Sequence, residues 1–301
     1  MRALAQWILR GPLQAIGAVA GLAVAALLLP PLMLISAAAL ALVTLALGLH
    51  RGGQVLAGAT AVIVLAGMLL TGNPWFGLAL ALVDWVPVWL TAAVLRAMRS
   101  LAVALGFAIL LAVTGVVLVH VLVPDPAGLW RGWLEPLLSA PLADLGVSDA
   151  ELAKVLDALS RLATGILASS VLTSTMLAVF IGRAWQGALS NPGGFGREFR
   201  ALRLGRVPAL AAVVAVGAAS LWHQPLLFET ALILLVAFAF EGIAFVHWLA
   251  HRSAHASAWL VGFYAVLILV LPQALPVVMG LGVVDGLFDL RRRAAGRSDT
   301  A

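Results

Sequence analysis

Residues 185–206 read WQGALSNPGGFGREFRALRLGR, from Trp185 to Arg206. This stretch is a strongly basic, polar interruption between two long apolar blocks. Four arginines (Arg197, Arg200, Arg203 and Arg206) fall within ten residues of one another. Short loops rich in arginine between apolar segments mark the cytoplasmic side of a membrane protein. The strip therefore sets the direction in which the rest of the chain crosses the bilayer.

Composition supports the same reading. The 301 residues are 63% hydrophobic and 10% charged, with a mean hydropathy of +1.10. A soluble domain carries roughly 25% charged residues, so this chain lacks the material for a water-facing surface. The net charge of +5 comes from arginines in short loops, which argues against a nucleic-acid partner. No cysteine is present, so disulfides and thiolate metal sites are excluded. Only Lys154 among the 18 basic residues is a lysine, in keeping with a GC-rich bacterial genome.

The expected fold is all-α, a polytopic transmembrane bundle of about 8–10 membrane segments, forming one transmembrane domain over 1–301. The segments are expected at about 13–29, 32–48, 53–71, 75–95, 101–123, 162–182, 207–222 and 226–250. The stretch 257–290 is broken by Pro272 and Pro276, and either crosses twice or dips in and returns. Spans 1 and 2, separated by Pro30-Pro31, either cross or form a hairpin. The basic N-terminus lacks a cleavage site and reads as an uncleaved first helix. Gly17 and Gly21 form a GxxxG suited to close helix approach.

With the N-terminus inside, fifteen arginines, Arg297 among them, fall on one side, and Arg131, Lys154 and Arg161 on the other. This places both termini in the cytoplasm of a bacterial inner membrane. The loop 124–161 is then extracytoplasmic, with a capping box at Ser148–Glu151 opening an amphipathic helix that runs into span 6. Leu152, Val155, Leu156 and Leu159 form its apolar stripe. The strip 183–206 is cytoplasmic: a turn at Asn191-Pro192-Gly193-Gly194, then a surface-lying helix with Phe195, Phe199 and Leu202 on its apolar face. Its arginines are expected at lipid headgroups or at a docking partner.

An ionisable group at membrane depth is a functional candidate by default. Asp84, near the centre of its span, and Glu241, in the inner half of span 8, are the first candidates. Asn73, His120, His223 and Glu229 fall near outer helix ends and are weaker candidates for an outward pocket, with Glu229 read foremost as an interfacial acid. His247, His251 and His255 recur every four residues but share no carboxylate, and they read as interfacial; no metal site and no cofactor are expected. Asp285 and Asp289 read as end charges, and Gly282-x-x-x-Gly286 as helix packing. No protease elbow or GxGD motif occurs, and no catalytic set is complete, so no enzyme is expected. No phosphate-binding Walker loop occurs either, so the chain cannot energise transport by its own ATP hydrolysis.

The pattern Trp185-Gln186, Asn191-Pro192-Gly193-Gly194-Phe195, Glu198-Phe199 and Leu202-Arg203-Leu204, with Gly282, Asp285 and Phe288-Asp289-Leu290-Arg291 at the end, resembles the YybS-like family of bacterial polytopic membrane proteins. That family is distantly similar to the S components of energy-coupling-factor transporters. The resemblance implies a transporter-like helical fold with a pocket near the outer face, and it carries no ligand residues over. The functional expectation is a small-molecule binding or uptake subunit partnered by an energising or coupling subunit. The alternative is a non-transporting scaffold or regulator acting through its cytoplasmic loop.

Overall fold

A computed structural model describes residues 2–296; Arg297, counted in the orientation argument, lies outside the described residues. The described elements are helical. The chain opens with α1 (Arg2–Ile8), α2 (Pro12–Ala25), α3 (Leu32–Leu47) and α4 (Leu49–Thr71). Next come α5 (Trp75–Leu80), a π-helical turn (Ala81–Trp85) and α6 (Val86–Met98). The middle of the chain holds α7 (Leu101–Leu122), α8 (Pro126–Asp144), α9 (Asp149–Ser190) and α10 (Gly194–Arg200). The last five are α11 (Arg206–Trp222), α12 (Pro225–Ala250), α13 (Ala256–Leu269), α14 (Leu271–Phe288) and α15 (Leu290–Gly296).

Among the described residues, six helical segments are long and apolar enough to cross a membrane: α4, the stretch Trp75–Met98, α7, α9, α12 and α14; the bent pair α1 and α2 together makes a seventh if it counts as one span. Three apolar helices, α3, α11 and α13, are shorter, at 16, 17 and 14 residues. Each expected segment is thus present as helix. The stretch 257–290 divides into α13 and α14 at Val270, just before Pro272, because proline supplies no amide hydrogen to a continuing helix.

Three local readings change. The first residues do not extend the first span: α1 and α2 meet at a bend of 118° around Arg10-Gly11. Gly17 and Gly21 have no neighbour within 4 Å of where a Cβ would stand, so among the described residues this GxxxG packs against nothing. The loop 124–161 is mostly helical, and α9 runs unbroken for 42 residues. At ~1.5 Å per residue that is about 63 Å, twice a ~30 Å hydrocarbon core. Its first turns therefore stand outside the apolar region. The capping box there forms as expected, with the Ser148 hydroxyl and amide both donating to Glu151 Oε2, at 2.7 and 3.0 Å.

The described chain divides into two compact units. Unit 1 comprises Met1–Ala108, Val171–Leu204 and Ile243–Leu271; unit 2 comprises Ile109–Ser170, Gly205–Gly242 and Pro272–Ala301. The centre of unit 1 is α3, in which every residue from Ser36 to Leu45 is buried. A helix apolar on all sides belongs in a core, and α2, α4 and α6 enclose it. Its one hydroxyl without an intrahelical acceptor, Ser36, donates to the Val19 carbonyl at 2.7 Å. Gly182 of α9 meets α3 closely, since a Cβ there would lie 2.8 Å from that of Ala41.

In unit 2, glycines let backbone meet backbone. A Cβ on Gly242 would lie 2.0 Å from the Val278 carbonyl oxygen, and one on Gly282 would lie 2.1 Å from that of Phe238. The packing role read for Gly282 and Gly286 is realised between α14 and α12, with Gly286 also lying against Ala209 of α11.

Candidate functional site

Asp84 lies on the π-helical turn, and the local sequence explains that turn. Pro87 has no amide hydrogen, and its ring crowds the carbonyl one turn back, at Val83. The helix widens to accommodate it, and the Val86 amide donates to Ala81, five residues earlier. Single π turns inside α-helices recur at functional sites. The widened turn sets the Asp84 side chain half-buried at mid-span.

Among the described residues, no ion partner or hydrogen-bond donor meets the Asp84 carboxylate, and its Oδ2 is buried. The sequence leaves open whether a neighbouring arginine or backbone donor pairs with it; none does. Two further polar atoms on the same stretch share this condition: the indole Nε1 of Trp85 and the hydroxyl of Thr91, both on fully buried residues. Buried polar atoms are satisfied in the large majority of cases. Three such atoms thus fall within eight residues of one span, a polar seam along this stretch of sequence in which each keeps unused hydrogen-bonding capacity. Trp89 is not part of it, since its Nε1 donates to the Leu49 carbonyl at 3.0 Å.

On the same helical stretch, Phe76, Gly77 and Leu80 wall an apolar cavity of about 430 Å³ with Gly67, Asn73 and Leu27. This volume falls in the range of small-molecule pockets, roughly 300–1,000 Å³. Gly77 permits the approach of α4, because a Cβ there would lie 2.7 Å from the Ile63 carbonyl oxygen. Asn73 lines the cavity, while its Oδ1 accepts the Trp75 amide at 2.9 Å and starts α5.

The other weaker candidates belong to unit 2. Glu229, read from sequence as an interfacial acid, is instead 1% exposed. Gly165 of α9 admits it, with a Cβ position 2.8 Å from the Glu229 Cα. His120 Nε2 stands 3.5 Å from Glu229 Oε2, so these two candidates are brought together. His223 ends α11 in the left-handed region (φ 53°) and lies against the Phe228 ring.

Glu241 is fully buried, and its surroundings are those of a packed joint. Its backbone carbonyl accepts Arg291 Nη2 at 3.3 Å, and Arg291 Nε is 2.9 Å from Asp285 Oδ2. Asp285 is itself fully buried, which corrects its reading as an end charge. The joint depends on Asp289, whose left-handed φ of 53° breaks the helix and returns Arg291 toward Asp285. A signal for Asp285 was present in sequence: it lies three residues after Gly282, on the face that the glycines commit to packing.

The apolar face of the central strip is turned onto the protein. Phe195 and Phe199 of α10 pack on Phe180 of α9 at ring distances of 5.8 and 5.3 Å, and Leu202 is 1% exposed. The apolar face thus meets protein. Arg183 grips Glu198 with two nitrogens, Nε at 2.8 Å and Nη2, and its Nη1 donates to Gln186. Gln186 in turn donates to the Leu45 carbonyl at 3.0 Å. Arg197 is exposed, Arg200 and Arg203 are half-buried, and Arg206 donates to the Leu287 carbonyl at 3.2 Å.

His247 is 2.8 Å from the Tyr264 hydroxyl and edge-on to Phe199. Because α12 ends at Ala250, His251 and His255 leave the helix on which the three histidines were aligned. Compared with protein-family models, curated proteins and solved structures, the chain has no match.

Proposed function

We propose that this chain is a multi-pass membrane protein that binds a small molecule within its helices, as a binding or uptake subunit energised by a separate partner. The observation that carries the reading is the polar seam of Asp84, Trp85 Nε1 and Thr91 on a π turn in an apolar span. Leaving three polar groups without partners in a low-dielectric interior is costly. A ligand that supplies donors and acceptors there recovers that cost. The apolar cavity walled by Phe76, Gly77 and Leu80, earlier on the same stretch, offers room for a ligand's hydrocarbon portion.

The sequence holds no Walker loop for ATP hydrolysis by this chain, which is compatible with an energising subunit. The arginine distribution orients the chain with both termini in the cytoplasm. The resemblance read from the sequence to the YybS-like family, a family itself distantly similar to S components, is in keeping with this assignment. The test is purification of the full chain in native lipid discs, followed by release and mass spectrometry of bound small molecules. A compound retained by the native chain and lost from both Asp84→Asn and Thr91→Val supports the reading. A native chain that carries nothing, alone or with a co-purified subunit, overturns it.

A second reading is a membrane scaffold or regulator working through the strip 183–206. The grip of Arg183 on Glu198 favours it, because a fixed loop presents a constant surface to a partner. In that case loss of Arg197 abolishes function, and loss of Asp84 does not.

A further inference from the structure

Unit 1 holds a second cavity, of about 410 Å³, walled by Arg96, Arg99, Arg183, Gln186 and Glu198 over an apolar base of Leu45 and Leu95. We propose that it binds a phosphate monoester group, carried either by a membrane lipid or by a soluble metabolite. The site is distinct in residues and chemistry from the seam at Asp84.

Charge is the first argument. Three guanidinium groups face one carboxylate, and that carboxylate, Glu198, is occupied by Arg183. Among the described residues, no carboxylate lies within ion-pairing distance of Arg96 or Arg99. Two uncompensated positive charges match the charge of a phosphate monoester, about −1.5 to −2 near neutral pH. Arginine's planar fork also suits phosphate oxygens in pairs.

Preorganisation is the second. α3 stops at Gly48, which leaves the Leu45 carbonyl without its helical donor. Arg96 Nη1 and Gln186 Nε2 both donate to that oxygen. Gly48 has φ 98° and no side chain, and the Arg96 guanidinium lies against it, 3.6 Å from where a Cβ would stand. Arg96 is therefore held in place with one of its donors used. The remaining donors are available to a ligand.

Third, Arg99 ends α6 with φ 54°, in the left-handed region that favours glycine. Strain at a position of this kind leads from geometry to a functional hypothesis. The guanidinium of Arg99 is what the strained residue contributes.

This conformation provides a clean test, because Arg99→Gly removes the charge and relieves the backbone. The full chain is placed in phosphatidylcholine discs and its thermal midpoint is followed against inorganic phosphate and pyrophosphate, with chloride at matched ionic strength. A parallel set uses discs containing phosphatidic acid. We expect one phosphate source to raise the midpoint of the native chain. In Arg99→Gly and in Arg99→Gln the apparent affinity should fall roughly 10- to 100-fold, while the ligand-free midpoint of Arg99→Gly stays at or above native. A response to phosphatidic acid alone assigns the group to a lipid, and a response to the soluble anions assigns it to a metabolite. If neither source shifts the native chain beyond chloride, or if Arg99→Gly responds fully, the proposal fails.

Discussion

The Arg291 Nε stands 2.9 Å from Asp285 Oδ2, with the aspartate fully buried and the arginine side chain 10% exposed. This pair closes the C-terminal end of unit 2. Arg291 also reaches the Glu241 carbonyl, so α12, α14 and α15 are tied at one point. Removing one partner leaves the other charge buried and uncompensated, which costs about 3–5 kcal/mol. We expect Arg291→Met to lower the thermal midpoint sharply, and Asp285→Leu combined with Arg291→Met to recover much of the loss. A single substitution without effect would show that water reaches the site and that the tie is weak.

The glycines make a paired prediction. Gly282→Ala drives a Cβ toward the Phe238 carbonyl oxygen, and Gly242→Ala toward that of Val278. Overpacking of this kind costs about 1–3 kcal/mol. Gly17→Ala and Gly21→Ala meet no atom of the described residues, and the gain in helix propensity is about 0.5–1 kcal/mol. Thermal midpoints of the four variants should fall into two groups of opposite sign. Destabilisation by Gly17→Ala would reveal a second copy or another subunit docked on α2.

These glycines also mark how far the sequence was legible. Hydropathy located each apolar helix, since length and composition alone decide that. A GxxxG spacing, however, is equally present at Gly17–Gly21 and Gly282–Gly286, and among the described residues only the second is used. Spacing states that a helix can approach and not whether one does. Asp84 was legible for a similar reason: a lone acid in an apolar run stands out at any resolution. Arg183, Gln186, Arg96 and Arg99 were not, because ordinary loop-end arginines and a cavity wall have the same local sequence. Their grouping depends on where α3 stops and on the return of α10 after the Asn191–Gly194 turn.

That return gives a third prediction. Arg183 and Glu198 are 15 residues apart and half-buried, at 23% and 31% exposure. Charge-assisted hydrogen bonds of this kind contribute about 1.5–3 kcal/mol when shielded, and less at this exposure. Glu198→Gln should loosen α10 without unfolding the helices around it. Limited trypsin digestion of the full chain should then cut after Arg197 several-fold faster than in the native protein. Equal cutting rates would mean that the aromatic packing of Phe195 and Phe199 on Phe180 holds the strip alone.

The start of α9 responds to pH. Hydrogen bonds from the Ser148 hydroxyl and amide hold the Glu151 carboxyl below its ordinary range. A depressed acid stabilises the fold above its unfolded value and loses that contribution as pH falls through the folded value. Amide protection at Asp149–Leu152, taken relative to the intrinsic exchange rate at each pH, should therefore be highest at neutral pH and drop below the ordinary carboxylate range. Ser148→Ala should bring the drop to higher pH. Protection indifferent to both changes would show that the capping box is not formed in solution.

The last prediction separates stability from function at Asp84. A carboxylate and two other polar groups without partners in an apolar span are a liability for folding alone. Replacing such a group with an apolar side chain of similar size is neutral or stabilising, by about 1–3 kcal/mol. Asp84→Leu should therefore raise the thermal midpoint of the full chain in lipid discs, and Thr91→Val should add to it. If the seam binds a ligand, the same substitutions should abolish retention of the co-purifying compound, the pattern expected where a destabilised site is kept for function. A lowered midpoint would mean that Asp84 has a structural partner after all. A raised midpoint with retention unchanged would leave the span stable and move the binding reaction away from Asp84.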